Sequence, residues 1–173
     1  MKIICGKLKD NYGLAVENET DFSVSLENNT LKLLFVAYDD SIVSKGTAYN
    51  DKLYEGDTVE IFLPLGEKNR YLELEVNPDG IKYAGIVTNN GSISIEYLGE
   101  CPFEAITSRL PNGWQTEMFI PLNNLYPLGF DKKNAYFNLF RQDFQSEKLN
   151  LYALSPTLKP TFHDVESFLK LEL

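Results

Sequence analysis

Acidic side chains at alternating positions are the residues in this sequence that could do chemistry together. They are Glu60, Glu73, Glu75 and Glu117, which could share one face of a β-sheet. Two carboxyl groups at a suitable separation can hydrolyse a glycosidic bond, one as the acid and the other as the base or nucleophile. Acidic residues also alternate outward on solvated sheets, and the sequence favours that simpler interpretation over catalysis.

The same kinds of side chain could instead recognise a sugar. A sugar presents an apolar C–H face and a ring of hydroxyl groups, so its site needs exposed aromatic rings and fixed carboxylates, amides and cations. Each candidate also has an ordinary explanation: Tyr54 could pack at a rim, Glu60 could face solvent, and Arg141 could pair with a structural carboxylate. Residues of the required types are Tyr54, Glu60, Glu75, Asn77, Lys82 and Arg141.

Other classes of site lack the residues they need. The sequence contains no Walker loop, GxGxxG turn, HExxH helix, GxSxG elbow or CxxC pair. His163 is the only histidine, so a metal centre built on several histidines is not available. Cys5 and Cys101 have no metal-ligand spacing, and we expect two reduced, buried thiols. The net charge of −9 disfavours nucleic acid and anionic membranes as partners.

Period-two alternation predicts the strands that position the acidic residues. In Asp57–Leu63 and Tyr71–Asn77, apolar residues lie on one face and polar residues, among them Glu60 and Glu75, lie on the other. A turn is predicted at Gly66–Asn69 between these two antiparallel strands. The two strands are therefore expected to build a polar face, with Tyr54 at its rim.

Short strands separated by turn residues predict the rest of the fold. Aromatic residues make up 13% of the sequence and favour strands. The predicted strands are 22–27, 30–37, 57–63, 71–77, 81–87, 93–98, 103–110, 114–120, 135–142, 149–154 and 168–173, with weaker candidates at 2–7 and 12–17. Helical structure is expected only as one turn at Pro121–Leu125. Residues 1–173 are therefore expected to form a single all-β domain, an antiparallel β-sandwich of jelly-roll type with about ten to twelve strands.

Two features bear on where the protein works. The N-terminal MKIICGKLKDNYG lacks the apolar region of a signal peptide, and no apolar run is long enough to span a bilayer. The sequence as given therefore predicts a cytoplasmic protein, or a secreted one whose start has been replaced.

Five motifs occur in an order that points to a known family. They are LYEGDTVEIFL, YLELEVNPDG, GWQTEMFIPLNNL, NAYFNLFRQ with Asn138 and Arg141, and the closing LYALSPTLKPTFHDVESFLKLEL. Together they resemble the family 9 carbohydrate-binding modules and their relatives among the DOMON-like domains. In that family an aromatic residue precedes an Asp-x-Val-Glu-x-Phe strand, and an Asn-x-x-Arg strand and a His-Asp ending follow later.

The resemblance implies a β-sandwich that binds, without catalysis, a sugar or a glycan end between two aromatic side chains. The matching positions hold Tyr54 and Phe162, which are Trp in well-known sugar-binding members. Glu60 falls on the family's hydroxyl-binding glutamate, and Lys82 lies near a position that carries a cation. The predicted ligand-binding residues are Tyr54, Glu60, Glu75, Asn77, Lys82, Asn138, Arg141, Phe162 and His163.

Departures from the family pattern leave other functions open. Leu154, Val165 and Leu169 stand where relatives have Trp, Pro and Gly, so the protein could be an interaction or structural sandwich whose sugar site has decayed. A small glycoside-processing enzyme and a haem domain are further alternatives; the only haem ligands would be Met118 and His163. No cofactor is predicted. Structural calcium, which family members can bind, could use Asp39, Asp40 and Asp57, although the sequence fixes no such site.

Overall fold

A computed structural model describes residues 3–146 and 148–172 of the chain. Within these residues there are thirteen strands: β1 (Ile3–Lys7), β2 (Lys9–Asp10), β3 (Thr20–Glu27), β4 (Thr30–Tyr38), β5 (Thr58–Leu65), β6 (Glu67–Val76), β7 (Lys82–Asn89), β8 (Ile93–Tyr97), β9 (Glu104–Leu110), β10 (Gly113–Pro121), β11 (Tyr136–Gln145), β12 (Lys148–Ala153) and β13 (Leu169–Lys170).

The strands form two antiparallel sheets that pack face to face. The smaller sheet has the order β1-β3-β4-β10-β9, and the larger has the order β2-β12-β11-β5-β6-β7-β8, with β13 also paired to β11. The fold is therefore an all-β sandwich, as the sequence predicted. The thirteen strands exceed the predicted ten to twelve by one, and two of them, β2 and β13, have only two residues each.

Helical structure in the described part of the chain is confined to single turns. They are α1 (Leu122–Leu125) and the 3₁₀ turns Leu53–Glu55, Tyr126–Leu128, Lys132–Asn134 and Val165–Ser167. The position of α1 agrees with the turn predicted at Pro121–Leu125. None of these described helices has the length or the apolar character that crossing a membrane requires.

The central strands of the larger sheet are buried on both faces. Every residue of β5 is buried. The inner face of β5, for example Val59 and Ile61, packs in the core between the sheets, whereas Phe62 belongs to a second apolar cluster on the outer face. Burial of each large apolar side chain contributes about 1.5–3 kcal/mol, so both faces stabilise the position of this strand. The predicted alternation of β5 and β6 is confirmed.

The connection between the predicted strands 22–27 and 30–37 forms as a tight turn, whereas the turn predicted at Gly66–Asn69 does not form. The β3–β4 hairpin closes through Asn28 and Asn29, whose φ angles of 48° and 60° suit asparagine in a two-residue loop. The four-residue turn predicted at Gly66–Asn69 is wrong. Only Gly66, with φ 85°, separates β5 from β6, because an irregularity in register near Pro64 lets pairing continue almost to the turn.

Two of the weaker predictions also need correction. The strand predicted at 12–17 is absent, because the carboxylate of Asp10 accepts the backbone N–H groups of Tyr12 and Leu14 and so holds a turn. Cys5, expected to be buried, is exposed because it lies on the edge strand β1. Lys2 and Leu173, the ends of two predicted strands, lie outside the described residues.

Arg141 joins the two sheets from the inner face of β11. Its Nη1 donates to Thr20 Oγ1 and to the Tyr38 carbonyl, both at 3.0 Å and both on the smaller sheet. Its Nη2 donates to Asp39 Oδ2 at 3.1 Å and to Asp143 Oδ1 at 3.2 Å. All three charged side chains are fully buried, so each charge depends on the others for compensation.

Arg141→Met should lower the free energy of unfolding by roughly 3–5 kcal/mol, because it leaves two buried carboxylates without their cation. Urea denaturation measures this change. The matched control is Arg109→Met: Arg109 pairs with Asp79 on the surface, so this change should stay within about 0.5 kcal/mol. Equal losses in the two variants would show that Arg141 does not hold the sheets together.

Candidate functional site

A cleft of about 380 Å³ opens on the outer face of the larger sheet. Its floor comes from the central strands, and its walls come from the 3₁₀ turn Leu53–Glu55, the strand β8 and the segment 160–163. The lining residues are of three kinds, acidic and amide, aromatic, and aliphatic: Glu60, Glu73, Glu75 and Gln142; Tyr54, Phe62, Tyr83, Tyr97, Phe162 and His163; and Ile95, Leu149, Leu151 and Pro160, together with Thr161.

Three glutamates form the acidic part of the floor. Glu60 on β5 lies directly opposite Glu75 on the neighbouring strand β6, and Glu73 is two residues before Glu75 on the same face. One carboxylate oxygen from each of the three lies within 4.8 Å of the others. All three side chains are buried, so three ionisable groups of like charge share one small, poorly solvated region.

Burial shifts the titration of this cluster towards neutral pH. Desolvation raises the pKa of Glu60 to about 7, although Thr58 Oγ1 at 2.8 Å and Gln142 Nε2 at 3.1 Å donate hydrogen bonds to it. Desolvation, and next the charge of Glu60, raise the pKa of Glu73 to about 8. The pKa of Glu75 is raised well above its usual range, first by burial and then by the charges of the other two glutamates.

Two oxygens of the cluster lack a donor from the described part of the protein. They are Oε2 of Glu73 and Oε2 of Glu75, and both are buried. When Glu75 is protonated it donates a hydrogen bond to Glu73, and this bond contributes to the raised pKa of Glu75. When both carboxyl groups are ionised, the two oxygens must find a donor from a ligand or solvent, or remain unsatisfied.

Aromatic rings line the cleft around this floor. Tyr54 is 49% exposed on the 3₁₀ turn, and Tyr97 is 60% exposed on β8, where its ring meets that of Tyr83 edge-on with centroids 5.8 Å apart. Phe162 is only 7% exposed, because its ring stacks on Phe140 at a centroid distance of 4.4 Å. Two of the tyrosine rings that line the cleft, Tyr54 and Tyr97, are therefore freely accessible, whereas the ring of Phe162 is largely covered.

His163 is fixed by packing at the edge of the cleft. Its ring stacks on Phe62 at a centroid distance of 5.4 Å, and its Nδ1 lies 2.7 Å from the Tyr71 hydroxyl. Burial lowers its pKa, so the imidazole is neutral around pH 7. An uncharged ring held in this way can take part in a hydrogen bond but adds no positive charge to the cleft.

The structure brings five of the nine predicted ligand-binding residues to this cleft: Tyr54, Glu60, Glu75, Phe162 and His163. The other four lie elsewhere. Asn77 caps a turn, where its Nδ2 donates to the Lys45 carbonyl at 2.7 Å and its Oδ1 accepts the backbone N–H of Ile81 at 2.8 Å. Its amide is therefore occupied by the backbone rather than free for a ligand.

Lys82, Asn138 and Arg141 are also occupied elsewhere. Lys82 Nζ is 2.9 Å from Glu104 Oε2. Asn138 Nδ2 donates to the Ser155 carbonyl at 2.9 Å, and its Oδ1 accepts two backbone N–H groups. Arg141 points to the interior, because residues 138, 140 and 142 of β11 face outward and residue 141 does not.

Sequence reasoning missed several residues of the cleft. On β11 the polar residue that lines the cleft is Gln142 and not Arg141. The alternation of that strand places residue 142 on the outer face and could have identified it. Glu73 belongs to the acidic residues with catalytic potential but not to the predicted ligand-binding residues, although it lies on the same face of its strand as Glu75. Tyr97 carried no motif. Glu117 does not share this face, because it lies exposed on β10 in the smaller sheet.

The aspartates suggested for calcium do not fit that ion. Asp39 and Asp57 lie with Asp143 in a buried group whose oxygens come within 4.8 Å of one another, whereas Asp40 is exposed. Arg141 supplies the positive charge to this group. Asp57 accepts the backbone N–H groups of Val43 at 2.6 Å and of Phe144 at 2.7 Å, so each of its oxygens already has one donor. Asp39 and Asp143 thus belong to the ion-pair network that joins the two sheets.

The two side chains suggested for haem do not face each other. Met118 is fully buried in the core between the sheets, whereas His163 lines the cleft on the outer face of the larger sheet. The larger sheet itself separates them, so they cannot ligate the same iron atom.

The raised pKa values make the stability of the fold depend on pH. A carboxyl group whose pKa is higher in the folded chain stabilises the fold while protonated, and this contribution is lost as the pH rises through the folded-state pKa. For Glu73 that window runs from about 4.5 to about 8. Glu75→Gln should therefore gain stability over the wild type at pH 8, by the order of 1–3 kcal/mol, and little at pH 4.5.

Urea denaturation at both pH values measures this difference, and Glu117→Gln serves as the exposed control. If the wild type and Glu75→Gln lost stability in parallel between pH 4.5 and pH 8, the three glutamates would not carry the strain that their burial implies.

Comparison with known proteins adds information about the fold. Neither a protein-family model nor a curated protein matches the chain. A candidate carbohydrate-binding protein from Bacteroides uniformis ATCC 8492 superposes with a TM-score of 0.75 at 16% identity, over 97% of this chain and 84% of that one. A family 9 carbohydrate-binding module from Caldicellulosiruptor kristjanssonii, in complex with glucose, superposes with a TM-score of 0.67 at 18% identity, over 95% and 83%. A family 9 module from the same organism in complex with cellotriose superposes with a TM-score of 0.60 at 18% identity, over 87% of this chain and 72% of that one. The chain thus has the β-sandwich fold of the family 9 carbohydrate-binding modules.

Proposed function

We propose that this protein binds carbohydrate in the cleft, as a non-catalytic module that holds a sugar or a glycan end against aromatic rings over a polar floor. The observation that carries the proposal is the composition of the cleft. Exposed aromatic surface and fixed carboxyl and amide groups line one open depression, and a sugar needs both. A volume of about 380 Å³ is within the usual range for small-molecule sites.

In this proposal Tyr54 and Phe162 contact the apolar faces of the sugar from two separate elements. Tyr54 offers the larger accessible ring, and Phe162 is supported from behind by its stack on Phe140. Glu60 and Gln142, already hydrogen-bonded to each other, form a fixed pair on the floor that can meet sugar hydroxyl groups. Prior fixation of such groups lowers the entropy lost on binding.

The fold comparison supports the same proposal. The solved structures that share the fold include a module bound to glucose and the same kind of module bound to cellotriose. Those ligands belong to the neighbouring proteins, which are at most 18% identical to this chain. They make neutral sugars the natural first ligands to test.

Two alternatives are less well supported. In glycoside hydrolases the paired carboxyl groups flank the scissile bond, roughly 5–5.5 Å apart in retaining enzymes and further in inverting ones. Here Glu60, Glu73 and Glu75 crowd within 4.8 Å on two adjacent strands, on one side of any ligand. A decayed site would be expected to have its cleft filled by side chains, whereas this cleft is open.

Tyr54→Ala should weaken the binding of glucose or cellotriose about tenfold or more, because it removes one of the two accessible aromatic rings that line the cleft. Isothermal titration calorimetry measures this loss. The control is Tyr126→Ala, which removes another exposed tyrosine of a 3₁₀ turn that lies away from the cleft. Its affinity should equal that of the wild type.

The proposal fails if no mono- or oligosaccharide binds to the wild type. The assignment of the site fails if Tyr54→Ala and Tyr126→Ala bind sugar equally well.

A further inference from the structure

The floor of the cleft is acidic without a compensating cation. Glu60, Glu73 and Glu75 bring three carboxyl groups together, and no lysine or arginine is found among the described residues that line the cleft. The only basic side chain there, His163, is neutral around pH 7 because burial lowers its pKa. The cleft therefore holds three carboxyl groups without a basic partner in the described part of the chain. A bound cation would favour their ionised forms, whereas a neutral sugar would not.

The acidic groups are also held ready to accept hydrogen bonds. Glu73 Oε2 and Glu75 Oε2 are buried and have no donor within the described structure. Glu73 is 6% exposed and Glu75 is 2% exposed, so solvent reaches them only through the cleft that both of them line. A buried acceptor without a donor destabilises the unliganded protein, and a ligand that supplies donors removes that cost.

An ammonium group matches this arrangement. It carries one positive charge and three N–H donors, and the three glutamates place one acceptor oxygen each within 4.8 Å of the others. Hydrogen bonds between charged partners are about twice as strong as neutral ones. The nearby rings of Tyr54, Tyr83 and Tyr97 also favour a cation over a neutral group.

A calcium ion matches it less well. Calcium takes six to eight oxygen ligands, and apart from the three glutamates the lining offers chiefly aromatic and aliphatic side chains. Aromatic and aliphatic walls around an acidic floor suit an organic cation, which has an apolar body to bury as well as a charge.

We propose that the ligand of this cleft is an amine-bearing sugar, whose ammonium group binds among Glu60, Glu73 and Glu75. The inference rests on the proposed carbohydrate-binding function and specifies its ligand class. In the complex the ammonium supplies the donors that Glu73 and Glu75 lack, while the sugar ring packs against Tyr54. The acidic floor then determines which sugar is bound, and the aromatic walls retain it.

Calorimetry at pH 7 with three sugars of similar shape tests the inference. Glucosamine carries the ammonium, glucose has a hydroxyl in its place, and N-acetylglucosamine has a neutral amide. Glucosamine should bind at least about tenfold more tightly than either of the others. This comparison uses the wild-type protein, so it does not depend on the folding of any variant.

Variants identify the groups responsible. Glu75→Gln and Glu73→Gln each keep the shape of the side chain but remove its ability to ionise when an ammonium group binds, and each should reduce the preference for glucosamine to less than about threefold. Glu117→Gln, an exposed change on the smaller sheet, should keep the full preference. Thermal melts establish that each variant is folded.

The outcomes separate this inference from the function on which it rests. If glucose binds as tightly as glucosamine and Tyr54→Ala abolishes both, the carbohydrate-binding function stands and the amine-bearing ligand is wrong. If calcium chloride alone binds to the wild type but not to Glu75→Gln, the three glutamates form a metal site and the inference is overturned. If none of the sugars binds, both proposals fail together.

Discussion

The structure depends on one constraint: the central strands of the larger sheet are covered on both faces. The inner face of β5 and β6 packs against the smaller sheet, and the outer face lies beneath the aromatic cluster and the cleft. Strict alternation along the strands then leaves no exposed side for the polar residues between the apolar ones. Glu60, Glu73 and Glu75 are buried for that reason, and their raised pKa values follow from it.

Two groups of buried acidic residues in the described part of the chain lie on opposite sides of the larger sheet, and they differ in how much positive charge compensates them. On the inner side, Arg141 supplies one positive charge to Asp39 and Asp143, and the network joins the sheets. On the outer side, the described residues offer the three glutamates no cation. Their polar partners are one another, together with the Thr58 hydroxyl and the Gln142 amide, which donate hydrogen bonds to Glu60. The inner carboxylates have a cation, and their network stabilises the fold. The outer carboxyl groups have no cation within the described ranges and line a cleft, so a ligand that donates hydrogen bonds to them can lower the free energy of the protein.

The sequence predicted the sandwich and the polar face, because period-two alternation is a local property of each strand. It could not tell Arg141 from a ligand-binding cation, since a buried arginine and an exposed one have the same residue type. The same holds for Asn77 and Asn138, because an amide that is occupied by backbone groups has the same residue type as one that meets a ligand. Glu117 alternates like Glu60, and only the pairing of distant strands decides which sheet each belongs to.

The central claim is that sugar binds on the outer face of the larger sheet. A titration of ¹⁵N-labelled protein with glucose and glucosamine, followed by ¹H–¹⁵N correlation spectra, tests it most directly. The account predicts that the shifted resonances cluster at Tyr54, along β5 and β6, at the Gln142 side-chain amide and in residues 160–163. Shifts concentrated on the smaller sheet, or none at saturating sugar, would contradict it.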